Sequence, residues 1–204
     1  MTMGNYGDIS TDAEIARRIV AGDVNAFEEI LKKYQRHVLN IIKKHVPYGY
    51  VEDVAQEVFI RVFQSLHRAT FEGQNRFEGW ISTIAIRTCC DFWRKRYRSR
   101  ELSMGSLTER QQAWLEGALS EASAQSFRQK GLEEEAREIL DWALEKLSAG
   151  DRMVVELVHL EGYSAREAGR LLGWSTVNVK VRSFRSRKKL RRLLEEALKG
   201  GRER

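Results

Sequence analysis

Tyr163-Ser-Ala-Arg-Glu-Ala-Gly-Arg-Leu-Leu-Gly-Trp-Ser175, continued by Lys180-Val-Arg-Ser-Phe-Arg-Ser-Arg-Lys-Lys-Leu-Arg-Arg192, is the stretch on which the reading of this chain turns. Ser164 and Glu167 have the spacing of a capping box, in which each side chain satisfies an orphan backbone N–H of the other's turn. The spacing predicts a helix with Ala168, Leu171 and Leu172 inside, ended by Gly173 after about two turns. Ser175 then offers an N-cap for one more helix, running to about Lys199. A short capped helix, a tight glycine turn and a longer helix make a helix-turn-helix pattern. The second helix carries eight basic residues and no acid between Lys180 and Arg192. Arg and Lys presented on such a helix reach phosphates and guanine edges in the major groove. A basic helix end favoured only by the helix dipole would normally intersperse acids. Two stripes compete for the inward face: Val177, Val181 and Phe184, or Val179, Ser183, Ser186 and Leu190 continuing into Leu193 and Leu194. Periodicity alone does not choose between them.

Outward from this stretch, residues 132–204 add two more helices, one through Leu140, Ala143, Leu144 and Leu147, the other capped by Ser148 and running through Met153, Val154 and Leu157 to Gly162. Residues 1–100 show four helical runs. Ile15, Ile19 and Val20 mark the first, and Ala26 through Ile42 the second, before Pro47 and Gly49 break the chain. Val51, Val54, Ala55, Val58, Phe59, Val62 and Phe63 mark the third; Phe77, Trp80, Ile81, Ile84, Ala85, Thr88 and Phe92 mark the fourth. Between the two pieces, residues 101–131 are rich in Ser, Gly, Ala and Gln without sustained period, apart from a short helical run at Trp114, Leu115 and Leu119, and read as a flexible linker. The expectation is an all-α protein of two helical domains, 1–100 and 132–204, joined by that tether. Net charges of +4, −1 and +3 separate the three pieces, within a total of +6. One proline in 204 residues fits long helices. No apolar run of membrane-spanning length and no signal pattern is present, and the only cysteines are the neighbours Cys89 and Cys90, so a cytoplasmic protein is expected.

Two further clusters bear on function. Arg94 to Arg100, preceded by Phe77, Trp80, Phe92 and Trp93, combines cations with aromatic faces, the chemistry that holds single-stranded bases. The loop Phe71-Glu-Gly-Gln-Asn-Arg-Phe77 adds amide and guanidinium groups able to hold a base taken out of the stack. At helical spacing, Phe77, Trp80 and Ile84 read as core before they read as base-stacking groups, which leaves the loop and the Arg/Lys groups to face solvent. Glu52-Asp-Val-Ala-Gln-Glu57 places Asp53 and Glu57 one turn apart on a polar helix face, suited to a basic protein surface or to plain solvation. No histidine stands at ligand spacing, so no metal is expected. There is no glycine-rich phosphate loop, nucleophile elbow or metalloprotease His-Glu pair, so neither an enzyme nor a cofactor or small-molecule site is expected.

Together these motifs resemble a bacterial RNA polymerase sigma factor of the extracytoplasmic-function (ECF) type, over about 160 residues and with both domains in order. Asp53-Val-Ala-Gln-Glu-Val-Phe-Ile-Arg-Val-Phe63 is similar to region 2.2 of that family. Phe77-Glu-Gly-Trp-Ile-Ser-Thr-Ile-Ala85 and Asp91-Phe-Trp-Arg-Lys-Arg96 are similar to regions 2.3 and 2.4, and Tyr163 to Ser175 with Val179 to Arg187 to region 4.2.

The resemblance implies that Asp53, Gln56 and Glu57 dock on the β′ clamp helices of core RNA polymerase and that region 4 sits on the β flap. It implies opening of the −10 promoter element by Phe71, Gln74, Asn75, Arg76, Arg87, Arg94, Lys95 and Arg96. It implies reading of the −35 element by Ser175, Thr176, Asn178, Lys180, Val181, Arg182, Phe184 and Arg185. The last assignment favours the second packing stripe. A linker threading near the nascent RNA and an anti-sigma factor that masks both domains are further implications. Three positions depart from the family pattern: Ser183 replaces a branched aliphatic, Asn178 a Thr, and Arg87 an Asn. Two weak DNA modules on one tether gain avidity through effective concentration, so specific promoter binding is expected to need core polymerase. The readings weighed against this are a stand-alone helix-turn-helix repressor, which has no use for an aromatic-basic loop, and a helical adaptor, which has no use for a helix-turn-helix.

Overall fold

The computed structural model describes residues 11–68, 77–99 and 130–201, and among these every regular element is helical. The chain divides into two compact units, Met1–Phe92 and Trp93–Arg204, a division that passes through one continuous helix.

In the first unit, α1 (Asp12–Val20) starts where the Thr11 hydroxyl accepts the Glu14 N–H, and acids fill its first turn. A single 3₁₀ turn at Val24–Ala26, capped by Asp23, leads into α2 (Phe27–His45), so the second helix begins one residue later than the apolar pattern suggested. Glu28 and Glu29 open α2 and Lys43, Lys44 and His45 close it, both favourable to the helix dipole. After Pro47 and a 3₁₀ turn, α3 (Val51–Arg68) buries Val51, Val54, Ala55, Val58, Val62 and Leu66, a stripe at three- and four-residue spacing. It packs on α2, with Phe27 edge-on to Phe63 at 5.2 Å. α4 (Phe77–Ser99) buries Phe77, Ile81, Ala85, Ile86, Thr88, Cys89 and Cys90. Both cysteines are buried thiols outside any disulfide and serve as packing groups. Tyr34 lies between the Phe77 ring and Asp12, whose carboxylate accepts its hydroxyl at 2.8 Å; burial raises the Tyr34 phenol above its ordinary value, and the Asp12 bond adds to this.

In the second unit, α5 (Lys130–Glu145) starts ten residues before the Leu140 that marks it in the sequence. Its Ile139 packs against Leu194 and Ala197, and Leu144 and Leu147 meet Val155 and Leu190. α6 (Ala149–Val155) is capped by Ser148 as the spacing predicted, the hydroxyl accepting the Asp151 N–H at 3.2 Å. It continues as one π-helical turn over Glu156–Leu160, which no sequence signal announced. α7 (Ala165–Leu172) carries the full capping box: Ser164 accepts the Glu167 N–H, and the Glu167 carboxylate accepts the Ser164 N–H at 2.9 Å. The Ser164 hydroxyl and N–H together hold the Glu167 carboxyl below its ordinary range. Gly173 ends α7 in the left-handed region at φ +74°, where a side chain would strain. Gly169 lets the turn pass close, since a Cβ there would stand 2.7 Å from the Trp174 carbonyl oxygen. α8 (Thr176–Gly201) follows, capped by Ser175, whose hydroxyl accepts the Asn178 N–H. Residues 101–129, including the run at Trp114, lie outside the described residues.

Candidate nucleic-acid interface

The two competing stripes on α8 resolve in favour of the less apolar one. Val179 is 0% and Ser186 2% exposed, with Ser183 and Leu190 half-buried beside them. Val177, Val181 and Phe184 are 70%, 42% and 65% exposed. Lys180, Arg185, Arg187, Lys188 and Lys189 are exposed around them. The outward face of α8 is therefore three bare hydrophobic side chains in a ring of cations. That composition matches a major groove, where thymine methyls offer apolar contact and phosphates and guanine edges take cations. Ser183 accounts for the hydrophilic inner stripe: its hydroxyl lies 2.8 Å from His159 Nε2 on the π-helical turn, so a polar contact stands where an aliphatic would pack. Burial, with Arg187 nearby, keeps the His159 imidazole below its ordinary pKa.

Arg182 and Asn178 are held differently from their neighbours. Arg182 is half-buried; its Nη1 meets Asp151 Oδ1 at 2.8 Å, its Nε donates to Asn178 Oδ1 at 2.9 Å, and its guanidinium carbon lies 4.9 Å from the Trp174 ring centroid. Asp151 and Trp174, which the sequence reading passed over, thus support the α8 face. The signal available was the Ser148/Asp151 cap, which placed Asp151 at a helix start without showing what else it holds. Thr176 is half-buried, and Ser175 is exposed with its hydroxyl committed to the cap.

On α3, Asp53 and Gln56 are exposed and Glu57 half-buried, all opposite the buried valine stripe. Ile60 shares this face and is 45% exposed. Glu57 accepts from Arg61 at 2.8 Å, and Arg61 reaches Asp91 on α4 at 2.8 Å. Burial opposes the Arg61 charge, but the hydrogen bonds to Asp91 and Glu57 outweigh it and raise its pKa. This bridge fixes Glu57 and leaves Asp53 and Gln56 as the polar groups turned to solvent.

On α4, Arg87, Arg94 and Lys95 are exposed and Arg96 is half-buried. Phe77 is buried, as the core reading of the aromatics allowed, while Trp80 and Ile84 are half-buried. Ser82 donates to the Glu78 carbonyl and lies 2.7 Å from His37 Nε2, tying the start of α4 to α2. Phe71, Gln74, Asn75 and Arg76 lie outside the described residues. No group of metal-binding side chains stands together among the described residues.

With these surfaces located, the comparisons assign the chain. Residues 30–99 match Sigma-70 region 2 and residues 137–190 match Sigma-70, region 4. The ECF RNA polymerase sigma-E factor of Escherichia coli (strain K12) is 31% identical over 177 residues, 87% of this chain and 91% of the relative. The chain belongs to the ECF RNA polymerase sigma factors. The RNA polymerase sigma-H factor of Pseudomonas aeruginosa is 26% identical over 189 residues, 92% of this chain and 96% of that one. The structure of CnrH in complex with the cytosolic domain of CnrY shares the fold with a TM-score of 0.50 and 25% identity, covering 91% of this chain and 97% of that one. As an ECF sigma factor the protein is a transcription initiation factor and not an enzyme, and it acts with core RNA polymerase on promoter DNA. Region 2 spans α2 to α4 and region 4 spans most of α5 through the basic part of α8, so the acidic α3 face and the cationic α8 face fall in different regions. No helix among the described residues is long and apolar enough to cross a membrane.

Proposed function

We propose that this ECF sigma factor uses the α3 face of Asp53, Gln56 and Glu57 to dock on the β′ clamp helices of core RNA polymerase and the outward face of α8 to read the −35 element. The functional pieces are then 1–100 for docking and −10 opening, 101–131 for the tether and 132–204 for −35 reading on the β flap. Arg87, Arg94, Lys95 and Arg96 hold the −10 strand together with Phe71, Gln74, Asn75 and Arg76. The observation that carries this reading is the burial of Val179 and Ser186 beneath an exposed Lys180, Val181, Phe184 and Arg185. Three apolar side chains bare on one face of a basic helix point to a surface that a partner covers. An acidic docking face and a basic reading face keep the two partners from competing, because each repels the other's ligand. CnrH is solved with the cytosolic domain of CnrY; for this chain we assign the same kind of control, an anti-sigma factor that covers these faces, with the protein acting in the cytoplasm.

The test is capture of bacterial core RNA polymerase by the full chain and by Asp53→Ala/Glu57→Ala, followed by run-off transcription. Capture that falls about tenfold in the double variant, with promoter-dependent transcripts from the wild type, is expected. Absence of capture together with tight, salt-sensitive binding to duplex DNA alone would instead mark a repressor.

A further inference from the structure

Among the side chains of the α8 face, Asn178 has its hydrogen-bonding state decided before any DNA arrives. It is exposed near the start of α8, on the side shared with Val181 and Arg185. Its carboxamide has one accepting end, Oδ1, and one donating end, Nδ2. Arg182 Nε stands 2.9 Å from Oδ1. A guanidinium has donors only, so the oxygen end must be the one that meets it, whichever way the amide is built. Arg182 is itself anchored twice more, by Asp151 at 2.8 Å and by the face of Trp174. The carboxamide is thus pinned with its oxygen turned along α8 toward Arg182. Its Nδ2 makes no hydrogen bond among the described residues.

An unconstrained asparagine reads adenine by donating to N7 while accepting from the N6 amino group. Here one lone pair of Oδ1 already serves a cation, while both Nδ2 protons are left for a base edge. We infer that Arg182 is a positioning residue and that Asn178 reads through its donating end, specifying a base-pair edge by an acceptor atom (guanine O6 or N7, adenine N7, or thymine O4). The inference rests on α8 reading the −35 element, as proposed above. It gives Arg182 a role other than direct base contact. Arg182 tunes specificity through Asn178, and Asp151 and Trp174 hold Arg182 in place.

Holoenzyme reconstituted from core polymerase and the full chain is given promoters randomised across the −35 element, and transcripts are counted for each sequence. Asn178→Ala is expected to relax one base-pair position by roughly fivefold, with the others unchanged. Arg182→Met retains an unbranched stem against Trp174; it relaxes that position too, and adds nothing there once Asn178→Ala is present. At that position, analogues are then placed in the wild-type promoter: 2-aminopurine for guanine or 5-methyl-2-pyrimidinone for thymine removes the keto oxygen, 7-deazaguanine or 7-deazaadenine removes N7, and purine for adenine or 2-pyrimidinone for cytosine removes the amino group. Loss of preference on removing an acceptor, keto oxygen or N7, and not on removing an amino group, is expected. Loss on removing the amino group, a uniform fall across all sequences as for a phosphate contact, or no relaxed position would each overturn the inference. Complete absence of promoter-dependent transcripts would instead defeat the reading on which it rests, and the inference with it.

Discussion

α3 and α8 are both amphipathic helices with one buried face and one bare face, yet they distribute apolar side chains in opposite ways. On α3 the apolar stripe is the buried stripe: Val51, Val54, Val58, Val62 and Leu66 are all inside, and Ile60 alone of the large aliphatics is bare. On α8 the more apolar stripe is outside, with Val177, Val181 and Phe184 exposed, while two serines lie on the inner face. The difference follows from what each bare face meets. A polar protein-docking face selects against hydrophobic side chains, whereas a groove lined with methyl groups takes them. Burial and hydrophobicity therefore part company where a surface is built for an apolar contact, and such a mismatch is itself a pointer to function.

The largest effects that sharpen this contrast come from charge placed on each face of each helix. Val58→Asp and Val179→Asp bury a carboxylate where the valines are 0% exposed. Each is expected to cost about 4 kcal/mol or more, read as loss of the cooperative transition of its own unit by chemical denaturation. Val181→Asp, on the bare stripe, is expected to shift stability by no more than about 0.5 kcal/mol. A comparable cost for Val181→Asp would break the assignment of faces on α8.

Next in size is the buried ion pair that joins α6 to its π-helical turn. Arg152 and Glu156 form a pair at 2.7 Å with side chains 8% and 5% exposed. Arg152→Ala takes this partner from the buried Glu156 carboxylate and is expected to cost about 3–5 kcal/mol in urea unfolding. The exposed Arg191–Glu195 pair on α8 is the control, and Arg191→Ala should be nearly silent. Phe184→Ala comes third. It is expected to leave the melting curve unchanged while lowering −35-dependent transcription about tenfold, a measure of the apolar contact alone.

The smallest effect is a pH dependence at the contact of α8 with the π-helical turn. The folded state keeps His159 below its ordinary pKa, chiefly by burial and secondarily through Arg187. The unfolded chain thus binds the proton more readily, so this stability is complete above the ordinary imidazole range and is lost as pH falls through the depressed folded value. His159→Gln is expected to flatten that acid-side slope in thermal melts recorded across the range; an unchanged slope would separate His159 from it.

The sequence made most of this architecture legible because helix signals here agree with one another. The capping box at Ser164 and Glu167, the cap at Ser148 and the stop at Gly173 appear in the structure where the spacing put them. The α3 face was equally readable, since its stripe and its polar edge do not conflict. The inner face of α8 was not, because Ser183 and Ser186 are inside for reasons held by another element: His159 answers Ser183 across 24 residues of chain. The web of Arg182 escaped for the same reason, its partners Asp151 and Trp174 being brought to it only by the turn of the fold. Periodicity reports a residue's own helix and nothing of what approaches it. The π-helical turn at Glu156–Leu160 has no composition of its own to read.

The most direct measurement of the division of labour between α3 and α8 is run-off transcription titrated with the full chain at fixed core polymerase. The account predicts that excess Asp53→Ala/Glu57→Ala chain restores transcription to the wild-type plateau, because only capture of the polymerase is weakened. It predicts that no excess of Phe184→Ala/Arg185→Ala restores it, because that holoenzyme forms normally and reads the −35 element poorly. Rescue of the α8 variant by excess chain, or a lowered plateau for the α3 variant, would contradict it.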